Sequence, residues 1–218
     1  MQIAAEKALG DRRGSVVVLD PANGVLGDGQ PSFPNCSSRH QLQAVCRAAP
    51  PSTPLFNRPA RLYAPGSTVK PEVAIAGLDS GVITPGSRVF DPGYYELPNY
   101  DHKYRNWNRS GDGWVDMYTA IMRSNDTYFY DLAHKLGIDR LHDYMAEFAG
   151  PEGVAGHVRG SSGLMPRPSG SAPHTPGWFP GETLILGIGQ GYIRSPPCSW
   201  PATSCWQARA CGTARTWP

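Results

Sequence analysis

The order of hydrophobic and polar residues in the first half of this chain predicts one strand followed by one helix. The segment "GSVVVLDPANG" is a short β-branched run closed by Asp-Pro and Asn-Gly, which predicts a strand over residues 14–20. From Ser67, which follows a Pro-Gly pair, apolar residues recur at near-helical spacing until Gly81. We therefore expect a helix that begins at Ser67 and stops at Gly81.

Three more helices are predicted in the second half of the chain. They correspond to "VDMYTAIMRS", to "DTYFYDLAHKLG" with Asp126 as its N-cap and Gly137 as its stop, and to "IDRLHDYMAEFAG". The intervening "FDPGYYELPNYDHKYRNWNRSGDGW" is rich in aromatic and turn-forming residues, so it is predicted to be a long ordered loop.

Composition and charge exclude several classes of protein. The chain has 218 residues, of which 40% are hydrophobic and 17% charged, and this suits one domain with a substantial core. The net charge is +2 and there is no basic run of five residues, so nucleic acid is not expected as a partner.

Neither an export signal nor a membrane-spanning segment is apparent in the sequence. No stretch approaches 18 consecutive apolar residues, and the opening "MQIAAEKALGDRRG" lacks the apolar centre and small-residue cleavage site of a signal peptide. We expect these residues to carry no membrane signal of their own.

Ser67 and Lys70 form the first candidate catalytic pair. Positions three apart share one face of a helix, so the Lys70 amine can reach back toward the Ser67 hydroxyl. An amine kept partly neutral by burial can take the proton of a serine and make it a nucleophile. The spacing alone is weak, because an exposed serine followed by a solvated lysine has the same letters.

A second candidate element is the triplet Ser124-Asn125-Asp126, which lies between two predicted helices. Penicillin-binding proteins and β-lactamases combine S-x-x-K with a later S-D-N and then K-T-G. Here the order is S-N-D. Taken by itself the triplet is more typical of a helix cap than of a catalytic element.

Three long segments carry a specific resemblance to a known family. They are "NRPARLYAPGSTVKPEVAIAGLDSGVITPGSRVFDPGYY", "DGWVDMYTAIMRSNDTYFYDLAHKLGIDRLHDYMAEF" and "WFPGETLILGIGQGY". Together with residues 1–23, they resemble the transpeptidase domain of class B penicillin-binding proteins of the cell-elongation type. The resemblance implies an α/β (α+β) fold in which helices cover both faces of an antiparallel sheet and the Ser67 helix lies in the middle.

The same resemblance implies an activity and assigns roles to residues. Ser67 is expected to attack the carbonyl between the two D-alanines of a stem peptide, with Lys70 as base and Ser124 as the group that passes a proton to the departing D-alanine. Asp126 falls on a substrate-binding position where asparagine is common in the family, although elongation-type members tend to carry an acid there.

Several expectations about partners follow from the resemblance. β-Lactams imitate the donor stem peptide and leave an ester on the same serine, and no metal or organic cofactor is needed. Family members work with a membrane glycosyltransferase of the elongation machinery. They are anchored in the inner membrane, and the transpeptidase domain lies in the periplasm.

Metal binding is not expected from the histidines. His102, His134 and His142 are scattered among predicted helix and loop positions, and no pair has the spacing of zinc ligands. We interpret them as structural or exposed.

Parts of the chain do not resemble the family, namely residues 25–53, most of 150–177 and 193–218. The five cysteines all lie in these stretches: Cys36, Cys46, Cys198, Cys205 and Cys211. We hypothesise that small insertions or deletions shift the reading frame there, the alternative being a specialised insertion, and disulfides are then not expected. The predicted organisation is a partial transpeptidase domain over 1–192 and a tail over 193–218, with coil or poor packing in 28–52 and 193–218.

The third family motif is not found in these residues. None of the four lysines is followed by Ser/Thr-Gly, and the resemblance places that motif on an edge strand that supplies a cation and an oxyanion-hole N–H. We therefore expect a sheet that is incomplete at the C-terminal end and a fragment that is inactive or nearly so, which forms no penicillin ester at a useful rate, since loss of one oxyanion donor typically costs about 100- to 1000-fold in rate.

Two other functions share part of the pattern. A serine β-lactamase has the same fold and S-x-x-K but needs a water-activating group for deacylation. A non-catalytic β-lactam sensor is the alternative from outside the enzymes. The segments "FDPGYYELP" and "GIGQGY" favour the transpeptidase.

Overall fold

The computed structural model describes residues 2–10, 16–20, 24–29, 62–149, 163–166 and 178–195. Within these ranges, the residues up to Tyr63 belong to one compact unit, and the residues of 64–149, 163–166 and 178–195 belong to a second. Every candidate catalytic residue lies in the second unit.

The first unit contains one helix and one strand pair. Helix α1 spans Gln2–Leu9, and strand β1 (Val16–Asp20) pairs antiparallel with β2 (Gly24–Gly29), with an irregularity between Val18 and Leu19. The predicted early strand is confirmed over its described part. The coil predicted from residue 28 is wrong at Asp28 and Gly29, which end β2, and the rest of 28–52 lies outside the described residues.

The helix predicted from Ser67 starts in two steps. A 3-10 turn spans Gly66–Val69 and continues into helix α2, Lys70–Asp79. Pro71 lies in the first turn of α2, where its missing N–H costs no hydrogen bond. The predicted stop is confirmed, since Gly81 follows the helix with a φ of 68°. Ser67 therefore lies on the 3-10 turn rather than in the α-helix.

Three further helices complete the second unit, and two of them follow the sequence prediction. Helix α3 spans Met117–Met122, α4 spans Asp126–Ala149, and α5 spans Pro180–Gly187. Helix α4 is interrupted at Gly137, whose φ of 73° and ψ of 164° are not helical, so the predicted stop there is confirmed. None of the helices in the described ranges is both long and apolar enough to cross a bilayer.

The segment predicted to be one long loop contains four short strands. Strand β3 (Arg88–Asp91) pairs antiparallel with β6 (Gly113–Asp116), and β4 (Tyr94–Glu96) pairs antiparallel with β5 (Lys103–Arg105). The loop prediction is wrong because strands of three or four residues are too short to show a hydrophobic alternation between such frequent turn residues. The mixed α/β class, with antiparallel pairing, is confirmed.

The core of the second unit is formed mainly where α2 and α5 pack against α4. Its fully buried apolar side chains on these helices include Val73, Ala76, Phe129, Leu132, Ala133, Leu184 and Leu186. Close packing of such side chains is the main stabilising contribution in a domain of this size.

Two stretches that were predicted to differ from the family meet in the second unit. Leu164 and Arg194 exchange backbone hydrogen bonds of 2.7 and 2.9 Å, and Ile193 is buried. Residues 193–195 are therefore packed, contrary to the prediction for the tail. The five cysteines and the remainder of the tail lie outside the described residues, so the predicted domain boundary stays a prediction.

Gly187 is a sensitive point of this core. A Cβ there would collide with the Cβ of Ala133 and lie 2.9 Å from the Phe129 carbonyl oxygen, and neither atom can move by a side-chain rotation. We expect Gly187→Ala to lower the free energy of unfolding by about 1–3 kcal/mol, as overpacking does. Chemical denaturation measures this change.

The matched control is Gly86→Ala, since no atom lies within 4 Å of a Cβ at that position and its backbone is not left-handed. Equal unfolding free energies for the two variants would contradict the packing of α5 against α4.

Candidate active site

Ser67 is held in place by a contact between two glycine-containing turns. The Gly66 N–H donates to the Gly189 carbonyl at 2.7 Å, and a Cβ on Gly189 would collide with the Gly66 carbonyl oxygen. Both glycines have positive φ, 63° and 71°, so each turn favours glycine at this point. The "GIGQGY" segment thereby supports the turn that presents Ser67, which is itself exposed.

Lys70 is deeply buried for a charged side chain, with 2% of its surface exposed. Its Nζ donates to the Ser124 carbonyl oxygen at 2.8 Å, to Ser124 Oγ at 3.1 Å and to Asp126 Oδ1 at 2.7 Å. It also lies 5.4 Å from the centroid of the Phe129 ring. An ammonium has three N–H donors, and here three acceptors are available.

The electrostatic environment of Lys70 favours loss of its proton. Burial lowers the pKa of Lys70, while the hydrogen bond and negative charge of Asp126 raise it, and the net result lies below the ordinary value of 10.5. The pair with Asp126 therefore does not fully compensate the burial of the amine. A lysine in this state is closer to serving as a base than a solvated one.

Ser67 and Lys70 lie three residues apart at the junction of the 3-10 turn and α2. Side chains at this spacing eclipse one another in 3-10 geometry, so the two residues lie on one side of the turn. The structure thus combines an exposed hydroxyl and a buried amine on one short segment.

The triplet Ser124-Asn125-Asp126 approaches Lys70 from the start of α4. Ser124 has a φ of 52°, a left-handed conformation that is uncommon outside glycine. The N-cap of α4 is Asn125, whose Oδ1 accepts from the Tyr128 N–H at 2.9 Å. The prediction of Asp126 as N-cap is wrong, because its carboxylate turns to Lys70 instead.

A buried polar cluster behind the triplet was not predicted from the sequence. It consists of Asp91, Asn106, Asp112 and Asn125. Asp91 accepts hydrogen bonds from the other three, and Asp112 also accepts one from Asn125. Three of its members lie in the segment predicted to be a loop. The position of Asp91 directly before Pro-Gly was the available signal in the sequence, but sequence patterns do not show which distant side chains a carboxylate contacts.

The part of the chain that the structure describes contains no group of three His, Cys, Asp or Glu side chains that could hold a metal ion. His134 Nδ1 lies 2.8 Å from the Tyr95 hydroxyl, and His142 Nδ1 lies 3.2 Å from Asp143. Both histidines thus have ordinary protein partners.

Comparison with known proteins agrees with this geometry. A family model described as the penicillin-binding protein transpeptidase domain matches residues 14–192. The chain belongs to this family. The match includes the two internal stretches, 25–53 and 150–177, for which the sequence indicated departures.

Curated relatives of this chain include several proteins named peptidoglycan D,D-transpeptidase MrdA. Peptidoglycan D,D-transpeptidase MrdA from Acinetobacter baumannii is 37% identical over 206 residues, which are 90% of this chain and 30% of the relative. This chain therefore spans about a third of the length of its curated relatives.

Solved structures of the family have the same fold. Pseudomonas aeruginosa PBP2 in complex with WCK 5153 is 51% identical with a TM-score of 0.81, over 94% of this chain and 47% of that one. The complex between PBP2 and MreC from Helicobacter pylori is 29% identical with a TM-score of 0.80, over 92% of this chain and 39% of that one.

The charge of Asp126 has a measurable effect on Lys70. Asp126→Asn keeps an acceptor oxygen but removes a negative charge that favours the ammonium form, so we expect it to lower the pKa of Lys70 further. The chain has only four lysines, so an NMR titration of protein labelled in its lysine side chains can resolve Lys70. The Lys70 signal is assigned as the one that disappears in Lys70→Arg.

Glu96→Gln is the matched control, because Glu96 pairs with Lys103 at 3.3 Å and raises the pKa of that lysine. It is expected to shift Lys103 and leave Lys70 unchanged. An unchanged Lys70 titration in Asp126→Asn would show that the two side chains are not paired.

Proposed function

We propose that this chain contains the acylation site of a peptidoglycan D,D-transpeptidase, with Ser67 as nucleophile and Lys70 as its base. The observation that carries the proposal is the Lys70 amine. It is buried, its pKa is lowered, and it bonds to Ser124 and Asp126 three residues after an exposed serine.

The proposed reaction begins with proton transfer from Ser67 Oγ to neutral Lys70. The Ser67 oxygen then forms a bond to the carbonyl carbon of the penultimate D-alanine, and the C–N bond to the terminal D-alanine breaks. An amine of a neighbouring stem peptide subsequently attacks the ester, which restores the Ser67 hydroxyl and forms the cross-link.

Ser124 is suited to the proposed transfer of the proton to the leaving D-alanine. Once Lys70 has taken the Ser67 proton it is an ammonium again, and it can pass a proton on only to a contact that gives up a proton of its own to the leaving amine. Of the three acceptors around Nζ, the Ser124 carbonyl and the Asp126 carboxylate have no proton to give, whereas the Ser124 hydroxyl can reverse its bond. The 3.1 Å contact between Lys70 and Ser124 Oγ is therefore the natural path for the proton.

Asp126 has a role in the proposal that differs from the expected one. Its Oδ1 accepts from Lys70 at 2.7 Å, and its side chain is 17% exposed. We propose that it sets the protonation of Lys70, while the substrate contact expected from the resemblance stays a prediction.

The relatives favour a transpeptidase over the two alternatives, a serine β-lactamase and a non-catalytic β-lactam sensor, since they are named D,D-transpeptidases. The proposed donor is a D-alanyl-D-alanine stem peptide, and β-lactams are proposed as its mimics. A membrane glycosyltransferase and an MreC-type protein, like the one bound to Helicobacter pylori PBP2, are proposed partners at the periplasmic face of the inner membrane.

Penicillin labelling tests the proposed nucleophile. Incubation of the 218-residue chain with penicillin for several hours, followed by intact-mass spectrometry, is expected to give one adduct per chain at Ser67, formed slowly. Ser67→Ala is expected to give none. Thr68→Ala is the control, because Thr68 is an exposed neighbouring hydroxyl that donates only to the Pro65 carbonyl.

The pH dependence of labelling reports on the base. Because the reactive form of Lys70 is the free amine, the labelling rate should rise with pH and level off below pH 10.5, the ordinary pKa of lysine. Asp126→Asn should move the rising part of this curve to lower pH. No Ser67-dependent adduct after prolonged incubation at saturating penicillin would contradict the proposed function, and rapid release of the adduct would favour a β-lactamase.

A further inference from the structure

Asp91 is a fully buried carboxylate that gathers donors from distant parts of the second unit. Its Oδ1 accepts from the Gly93 N–H and the Thr127 hydroxyl, both at 2.7 Å. Its Oδ2 accepts from Asn106 Nδ2 at 2.7 Å, from Asn125 Nδ2 at 2.6 Å and from the Asp112 N–H at 3.1 Å. With 1% of its surface exposed, such a group needs this many donors to offset its desolvation.

Asp112 is the second acid of this cluster, and its side chain is 2% exposed. Its Oδ2 accepts from Asn125 at 2.9 Å, and its Oδ1 accepts from Asn108 at 2.9 Å and from Arg123 at 2.6 Å. Burial alone would raise the pKa of Asp112, but these three hydrogen bonds hold it below the ordinary value. Asp112 thus stays an acceptor toward Asn125 at neutral pH.

Asn125 links the two acids to the start of α4. Its Nδ2 donates to Asp91 and Asp112, and its Oδ1 accepts from Tyr128, so every polar atom of the side chain is used. Asn106 adds a parallel connection, because it donates to Asp91 and accepts from the Asp126 N–H at 3.1 Å.

The side chains of the three residues of the triplet point alternately to opposite sides. Ser124 and Asp126 bond to Lys70, while Asn125 between them bonds to the two acids on the other side. This alternation requires the left-handed backbone at Ser124, which is strained for a residue with a side chain. Such a conformation persists only where surrounding contacts fix it. On the helix α3 side, the Ser124 N–H donates to the Ile121 carbonyl at 3.1 Å and the Asn125 N–H to the Ala120 carbonyl at 2.8 Å. On the other side, the Asn125 side chain is held by Asp91 and Asp112.

We propose that Asp91 and Asp112 are positioning residues that act through Asn125 to keep Ser124 and Asp126 on Lys70. The proposal rests on the proposed function for its effect on acylation, but the geometry it describes is independent of any substrate. Neither acid touches Lys70 or Ser67; they act by fixing the backbone between the two groups that do contact the base.

Asn125→Ser is the variant that separates positioning from helix capping. Serine is as good an N-cap as asparagine, but its side chain is too short to bridge Asp91 and Asp112. Asp116→Ser is the matched control, since Asp116 is the N-cap of α3 and accepts from the Thr119 N–H at 2.8 Å without contacting the cluster. Asp112→Asn, which keeps the side-chain shape and removes the charge, is measured in parallel.

Two measurements are made on each variant that shows a cooperative thermal transition: the Lys70 titration by NMR and the rate of the Ser67 adduct. In Asn125→Ser we expect a lower Lys70 pKa, because Asp126 no longer holds the ammonium, and labelling that is about 10- to 100-fold slower, as small misplacements of catalytic groups produce. Asp112→Asn should change both in the same direction, and Asp116→Ser should change neither.

The titration keeps this inference separate from the proposed function. If Asn125→Ser and Asp112→Asn fold and leave both the Lys70 pKa and the labelling rate at the values of Asp116→Ser, the positioning role is overturned. If the Lys70 pKa falls in both variants while the parent protein forms no Ser67 adduct, the positioning role is upheld and the acyl-transfer function is rejected.

Discussion

The burial of one amine is the constraint on which the rest of the site depends. Removing the charge of Lys70 from water is costly, and the cost is tolerable only because three oxygens surround Nζ within 3.1 Å. Those oxygens come from two residues of one triplet, more than fifty positions along the chain. The start of α4 must therefore lie against α2, and the core between these helices holds it there.

Residues 124–126 also separate two polar networks that meet at this one stretch of backbone. On one side of the triplet, Lys70 binds Ser124 and Asp126. On the other side, Asn125 binds Asp91 and Asp112. The Lys70 amine lies in one network and the two buried acids lie in the other, and the triplet separates them. The acids are therefore satisfied by amides, hydroxyls and N–H groups, and Arg123 contacts Oδ1 of Asp112. Lys70 is therefore left to a single carboxylate, and one carboxylate does not cancel the effect of burial on its pKa.

Local patterns were sufficient to predict part of this site and not the rest. The placement of Ser67 and Lys70 on one side of a turn follows from their spacing, and the stops at Gly81 and Gly137 follow from residue type, because both depend on a few neighbouring residues. A role for Ser124 beside Lys70 was expected only through resemblance to a family, and the contact of Asp126 with Lys70 was not expected, since Asp126 was assigned to substrate binding. Asp91 and its amide partners were missed, since a hydrogen bond such as that between Asp91 and Asn125 joins positions 34 residues apart and leaves no periodic trace.

Strand content was missed for a related reason. The pairs formed by β3 with β6 and by β4 with β5 are only three or four residues long, and their residues expose aromatic side chains such as Phe90 and Trp114, which contact each other edge to face at 5.5 Å. Cross-strand contacts of this kind stabilise a pair without an apolar alternation. The segment nevertheless matters for the site, because Asp91 is the last residue of β3.

The chemistry of the site finally depends on which contact of Lys70 can change. A carbonyl and a carboxylate accept hydrogen bonds whether the amine is charged or neutral, so their geometry stays the same when the proton leaves. The Ser124 hydroxyl alone among the three can turn from acceptor to donor. Ser124 has a left-handed backbone, and the next residue, Asn125, is held by Asp91 and Asp112. In the proposed mechanism, the proton path therefore depends on the acids behind the triplet as well as on the base in front of it.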